Sequence, residues 1–260
     1  MKLPDIDYVR PADLAAAAVE VARPGSRALA GGQSLVPGLV LGEVRADRLV
    51  DLTRLAELRG IEVDDRHLRI GALEPMWDVE RHALVLEHAP HLADVLGSVG
   101  APPIRSRATL GGSLAWADPV SQLPAGIAAL GFMVVTTERT VTAGDLVNGA
   151  TTLTVGELIV RLELPLLPRR CAYELVRRTH ITWPVCGASV VLEPGLARVA
   201  LHGAGPHHVV AEDPDPEEAV RRACALVAPV ADTRASAEYR RRVVPRLAAR
   251  ALRRASEESP

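Results

Sequence analysis

Lysine is almost missing. Lys2 is the sole one among 30 basic residues, and the formal net charge is only −2. No overall field therefore draws this chain toward nucleic acid or an acidic membrane. Aromatic residues make up 3% of the 260 positions, with a single phenylalanine, so the core must be built from aliphatic side chains. Three cysteines, Cys171, Cys186 and Cys224, are too few and too scattered for a disulfide framework or for the close spacings of zinc and iron–sulfur sites. If electrons pass through this protein, no protein-bound cluster carries them. No apolar run approaches the ~18 residues of a membrane span. The opening residues, Met1 to Asp7, lack a secretory core, which points to a cytoplasmic location.

With 48% hydrophobic and 24% charged residues, the chain is too apolar for disorder and long enough for one large domain or two modest ones. The pattern predicts a helix over 11–23, with Pro11 in its first turn, then a strand over 27–30 halted by Gly31-Gly32. A second strand follows at 49–52, and a hairpin at 61–71 turns on Asp64-Asp65. Helical patterns at 78–86 and 91–99 precede a stretch with little periodicity, 100–124, read as a long functional loop. Strands are expected at 156–165, 172–176, 188–192, 198–201 and 208–211, and helices at 216–227 and 235–254. The Pro165–Pro168 segment divides the chain into an α+β unit of 1–166, with parts 1–53 and 54–166, and a small sheet-and-helix unit of 167–260.

Two glycine pairs carry the chemistry. Ala30-Gly31-Gly32-Gln33-Ser34-Leu35 follows a strand, and Thr109-Leu110-Gly111-Gly112-Ser113 lies in the aperiodic stretch. Without a β-carbon, backbone amides there can approach a ligand closely and form an anion-binding nest. Ser34, Thr109 and Ser113 add hydroxyl groups suited to phosphate oxygens. Neither pair has the Rossmann spacing or the lysine of a phosphate-binding P-loop. The residues alone support two readings, a diphosphate cofactor held between two turns or simply two tight turns.

Other clusters carry less. His82, His88 and His91 are interrupted by Pro90 and lack a carboxylate or cysteine to complete a set, so no metal site is expected. The arginine-rich final helix, with Tyr239 as its lone aromatic, reads as a solvated or partner-facing surface and not a nucleic-acid site.

The words around the glycines resemble one family. Ala30-Gly-Gly-Gln-Ser-Leu-Val-Pro37, Leu49-Val-Asp-Leu52, Ile104-Arg-Ser-Arg-Ala-Thr-Leu-Gly-Gly-Ser-Leu-Ala115, Ala117-Asp118-Pro119 and Gln122-Leu123-Pro124 are similar to the FAD-binding medium subunit of molybdenum hydroxylases. That is the carbon monoxide dehydrogenase flavoprotein type, related to the flavin domain of xanthine dehydrogenase. The resemblance implies the FAD-binding fold of the vanillyl-alcohol-oxidase / p-cresol methylhydroxylase type, two α+β subdomains, closed by the C-terminal unit.

It also implies roles for individual residues. Ala30 to Leu35, with Gly31, Gly32, Gln33 and Ser34 foremost, would hold the diphosphate through backbone amides. Thr109, Gly111, Gly112 and Ser113 would contact the diphosphate and ribityl chain. Asp118 and Gln122 would reach ribose or ribityl hydroxyls, and Ile159 would pack on the isoalloxazine ring. Tyr173 marks the flavin's pyrimidine edge, where Glu174 stands in place of a lysine found in some relatives. Glu174 and His180 are then the candidates for a catalytic acid or base.

The implied function is an FAD-dependent oxidoreductase. It would act either alone on a small organic substrate or as the flavin subunit relaying electrons from a molybdopterin-binding large subunit and a [2Fe–2S] small subunit. A shortened segment over 132–153 and the altered stretch 177–184 tilt toward the solitary version. The remaining alternative is a non-redox binding protein that keeps the fold, with FAD absent or structural.

Overall fold

The computed structural model describes residues 5–179 and 182–257. The chain opens with β1 (Asp7–Val9), helix α1 (Leu14–Val21), β2 (Ser26–Leu29), helix α2 (Leu35–Leu41) and β3 (Arg48–Asp51). The three strands form a parallel sheet in the order β1-β3-β2, which leaves one edge of β2 without a partner strand among the described residues. Asp13 starts α1 by accepting the Ala16 amide at 2.7 Å, a cap that stabilises a helix by ~1 kcal/mol. Pro11 thus lies before the helix, not in its first turn. Ala17 of α1 packs on Val50 and Leu52, and Leu73 and Leu158 from farther along the chain complete this small core.

A hairpin of β4 (Ile61–Val63) and β5 (His67–Gly71) comes next, then α3 (Met76–Arg81), α4 (Ala83–His88) and α5 (Pro90–Gly97). His82 is extended and splits the single helix expected over 78–86. Helices α6 (Pro102–Arg105), α7 (Leu110–Trp116) and α8 (Gln122–Leu130) follow, then β6 (Met133–Thr136), β7 (Thr140–Thr142), α9 (Ala143–Val147) and β8 (Ile159–Pro165). An antiparallel sheet joins five of these strands in the order β4-β5-β8-β6-β7.

The expected loop over 100–124 is therefore mostly helical. Its prolines and glycines sit in first turns, where they do least harm. Pro102 and Pro103 open α6, Pro124 lies in the first turn of α8, and Gly111-Gly112 follow the Thr109 cap of α7. Every residue of α8 is buried. Such a helix shows no amphipathic period, and it needs close neighbours. Gly126 permits this, since a β-carbon there would stand 3.1 Å from the Val95 methyls of α5.

The rest of the chain is a meander of β9 (Arg170–Arg177), β10 (Pro184–Glu193), β11 (Leu196–His202) and β12 (Val209–Asp213), followed by α10 (Pro216–Ala225) and α11 (Ala237–Glu257). The strand order is β12-β11-β10-β9. Strand β10 is covered on both faces, which explains its unbroken apolar run. Val190 and Leu192 join Val244 and Ala248 of α11, while Val191 joins the core around Leu123 and Ile127 of α8. His91 of α5 fastens the same junction, its Nε2 lying 2.8 Å from Ser189 Oγ of β10. No helix among the described residues is long and apolar enough to cross a membrane.

Candidate cofactor-binding site

The two glycine turns meet. A β-carbon on Gly31 would overlap the Arg107 carbonyl oxygen and stand 2.9 Å from Ala108 Cα, so only glycine lets the first turn lie against the segment entering the second. Gly112 completes the approach, because a β-carbon there would come within 3.6 Å of Ala30 Cβ. Gly111 presses on a third segment: its amide donates to Ala72 O at 2.9 Å, and a β-carbon would lie 2.6 Å from Ala72 Cβ. The loop after β2, the start of α7 and the end of β5 thus form one joint.

The turns differ in what they leave free. At the first, the carbonyls of Gly32 and Ser34 accept from Val36 and Gly38 at 3.1 and 3.0 Å. The amides of Gly32, Gln33, Ser34 and Leu35 donate to no acceptor among the described residues. Gly32 holds the left-handed φ of 74° that this turn requires. At the second turn the amides are spent internally. Gly111 donates to Ala72 O, Gly112 to Thr109 Oγ1 at 3.2 Å and Ser113 to Thr109 O at 3.0 Å. The expectation of two amide nests is corrected to one nest plus a capped helix start. The second turn offers hydroxyl groups and a close-fitting surface, not amides.

Both turns line a single cavity of about 690 Å³, within the range of small-molecule and cofactor pockets. Ala30, Gly31, Gly32, Gln33, Ser34 and Leu35 form one side, with Thr109, Gly111, Gly112 and Ser113 beside them. Leu52, Leu58, Leu73, Leu158 and Ile159 supply aliphatic walls, and Gln122 reaches in from the start of α8. The C-terminal unit contributes Thr182, Trp183 and Pro184. Trp183 is 52% exposed.

Sequence reasoning missed a strap, residues 99–101, that forms another wall. Buried Arg105 donates through Nη1 to the carbonyls of Val99 and Gly100, each at 3.0 Å, and through Nε to Glu80 Oε2 at 2.9 Å. Ser98 O just before it accepts from Gln122 Nε2 at 2.9 Å and from Arg177 Nη1 at 3.0 Å. No periodicity marks a lone arginine that binds backbone carbonyls, so this support was invisible in the sequence. Gln122 was expected to turn its polar head to a ligand; its amino group is committed to Ser98, leaving the side-chain oxygen.

Among the described residues, the charged ones in the cavity wall are Arg27 and Glu157. Burial alone would raise the Glu157 pKa. Hydrogen bonds from Arg139 at 3.0 Å, the Thr154 amide at 2.8 Å and Thr136 at 2.7 Å prevail and hold it at about 2. Glu157 is therefore a fixed anion, saturated by its own neighbours.

Three expected residues stand elsewhere. Asp118 accepts the Val120 amide at 3.0 Å and borders a separate hollow of about 210 Å³ beside Gly203 and Arg240. Tyr173 is turned to His202, with Oη 3.2 Å from Nε2. Glu174 points the opposite way along β9, toward α11, where Arg254 Nη1 lies at 2.6 Å and Arg250 Nε at 3.2 Å. Strand alternation puts neighbours on opposite faces, so Glu174 sits on the face away from the cavity. That position corrects its reading as an acid or base at a flavin edge. His180 lies outside the described residues.

Residues 4–167 match the model of the family described as the FAD binding domain in molybdopterin dehydrogenase. The chain belongs to that family. It is 30% identical to the 6-hydroxypseudooxynicotine dehydrogenase complex subunit alpha of Paenarthrobacter nicotinovorans, covering 98% of this chain and 96% of that one. The carbon monoxide dehydrogenase medium chain of Hydrogenophaga pseudoflava is 29% identical, with 96% of each chain covered. A solved structure of carbon monoxide dehydrogenase from that organism, lacking the Mo-pyranopterin moiety of its molybdenum cofactor, superposes with a TM-score of 0.89 at 28% identity, over 98% of this chain and 99% of that one. The fold is thus the α+β FAD-binding one, the cofactor is FAD, and the chain is an oxidoreductase flavoprotein.

Proposed function

We propose that this chain is the flavin subunit of a molybdenum-hydroxylase-type dehydrogenase. It receives electrons from a [2Fe–2S] small subunit supplied by a molybdopterin-binding large subunit, and it passes them to a final acceptor. We take the FAD-binding unit as 1–166 and the closing unit as 167–260, divided between β8 and β9. The relatives support the assembly, since their names describe a complex subunit and a medium chain and the match runs nearly end to end.

The observation that carries the reading is the joined pair of turns, with unsatisfied amides on one side of an otherwise aliphatic cavity. The amides of Gly32, Gln33, Ser34 and Leu35 hold a diphosphate, helped by the hydroxyls of Ser34 and Ser113. Leu158 and Ile159 cover the faces of a flat apolar ring, and the Gln122 oxygen accepts from ribityl hydroxyls. Trp183 closes the cavity from the C-terminal side and excludes water. FAD bound there supplies a ring system that exchanges electrons singly or in pairs.

The relay is favoured over solitary substrate oxidation by the relatives, whose names describe a complex subunit and a medium chain matched nearly end to end.

The test is purification from a heterologous host, alone and co-expressed with cluster-bearing and molybdopterin-binding chains encoded beside it. The expected result is a yellow chain with flavin absorption bands that co-purifies with those partners in a fixed ratio. Colourless protein that takes up no added FAD overturns the flavin reading. Direct reduction of the isolated yellow chain by a small organic molecule overturns the relay.

A further inference from the structure

The strap and the Ser98 that leads into it are held by side chains. No backbone amide among the described residues donates to the carbonyls of Ser98, Val99 or Gly100. Arg105 donates to the last two. The Ser98 carbonyl takes two donors at once, Gln122 Nε2 at 2.9 Å and Arg177 Nη1 at 3.0 Å, which fills both its lone pairs. One oxygen atom thus joins the strap, the start of α8 and, through Arg177, the C-terminal unit.

The position of Arg177 gives that bond its reach. Arg177 pairs in register with Pro184 at the open end of the β9–β10 hairpin. Pro184 lines the cavity together with Thr182 and Trp183, whereas Arg177 itself does not. Alternation along β9 puts Arg177 on the face of Tyr173, opposite the one from which Glu174 meets α11. Arg177 makes no ion pair among the described residues, and its one hydrogen bond goes to Ser98. A segment with few backbone hydrogen bonds opens at low cost, and movable walls of this kind gate ligand release.

We infer that Arg177 is a positioning residue: its bond to the Ser98 carbonyl latches the strap to the β9–β10 hairpin and keeps the cavity closed over its cofactor. The inference rests on the flavin reading and goes beyond it. Arg177 acts through the strap and not on the cofactor. By keeping two walls together it sets how long FAD stays and how dry the ring is.

The test is the rate of FAD release from the full holo-chain, with the visible spectrum of the bound flavin, in wild type, Arg177→Met, Arg177→Lys and Ser189→Ala. Ser189→Ala removes another tie between the two units, the one to His91, and neither of those residues lines the cavity. It is expected to lower the unfolding midpoint and leave release and spectrum unchanged. Arg177→Met is expected to release FAD about tenfold faster, the scale of one charged hydrogen bond, and to blur the shoulder that a dry flavin shows on its visible band. Arg177→Lys is expected to stay within about threefold of wild type, because the strap takes a single N–H that a flexible ammonium can supply. Arg177→Gln, two atoms short of the strap, stands in if the methionine variant does not fold.

Release from Arg177→Met within about twofold of wild type overturns the inference. Equal acceleration by Ser189→Ala overturns it too, since lost stability alone would then account for the effect. Arg177→Lys releasing as fast as Arg177→Met also overturns it, because a single donor would then not be what holds the strap. Wild-type protein that binds no FAD overturns the flavin reading itself, which separates the two failures.

Discussion

Gly31 and Arg107 touch backbone to backbone. A β-carbon at residue 31 would sit 2.7 Å from the Arg107 carbonyl carbon, so the first glycine turn and the approach to the second form a single joint. The obstructing atoms are main chain and cannot swing aside. Gly31→Ala is therefore expected to destabilise the apo-protein by ~1–3 kcal/mol and to abolish FAD uptake. Urea unfolding and flavin titration check this together. Gly32→Ala meets side-chain methyls at 3.3 and 3.4 Å and mainly strains a left-handed φ, so its loss of stability is expected at the lower end of that range.

Arg105 holds the strap from inside. Replacing it by methionine leaves the part-buried carbonyls of Val99 and Gly100 without their donor and leaves Glu80 paired with Arg81 alone. The expected cost is ~1–3 kcal/mol in chemical unfolding, with weaker FAD binding because residues 99–101 lose their support. Arg105→Lys recovers part of this at best, since an ammonium cannot reproduce the fork.

Stability should fall on mild acidification. Burial lowers the His91 pKa from 6.5 to about 4, and burial with the nearby His208 lowers that of His202 to about 3. Below 6.5 the unfolded chain takes up protons that these rings refuse in the folded state. Stability is thus complete above pH 6.5 and is lost as pH falls toward 4, by up to about 1.4 kcal/mol per pH unit for each histidine. Unfolding midpoints from pH 7.5 to 5 check it, and His91→Gln is expected to flatten the slope.

Glu174→Gln separates a structural carboxylate from a catalytic one. Its partners Arg250 and Arg254 are largely exposed, so losing the pairs is expected to cost under ~1 kcal/mol. Flavin spectrum and reduction rate are expected to stay at wild-type values. A changed rate would return Glu174 to the flavin.

Much of this was legible in the residues, and the exceptions share a cause. The strand ending in Gly31-Gly32, the 61–71 hairpin and the four-stranded meander show in alternation and turn chemistry, which are local. Helices α7 and α8 do not, because glycines and prolines in their first turns look like loop signals and α8, buried all round, has no polar face. Within the site, the residues of the two turns could be named from their type. Whether an amide was free could not, because Gly111 and Ser113 are satisfied by Ala72 and Thr109 through tertiary and capping geometry. Glu174 illustrates the same limit. With both faces of its sheet covered, alternation alone does not tell which face meets the cavity.

Amide hydrogen exchange with and without FAD addresses the site most directly. The amides of Gly32, Gln33, Ser34 and Leu35 are expected to exchange fast in the apo-protein and slow sharply when FAD is added, while those of Gly111, Gly112 and Ser113 are slow in both states. Fast exchange at the first turn that FAD leaves unchanged would contradict the account.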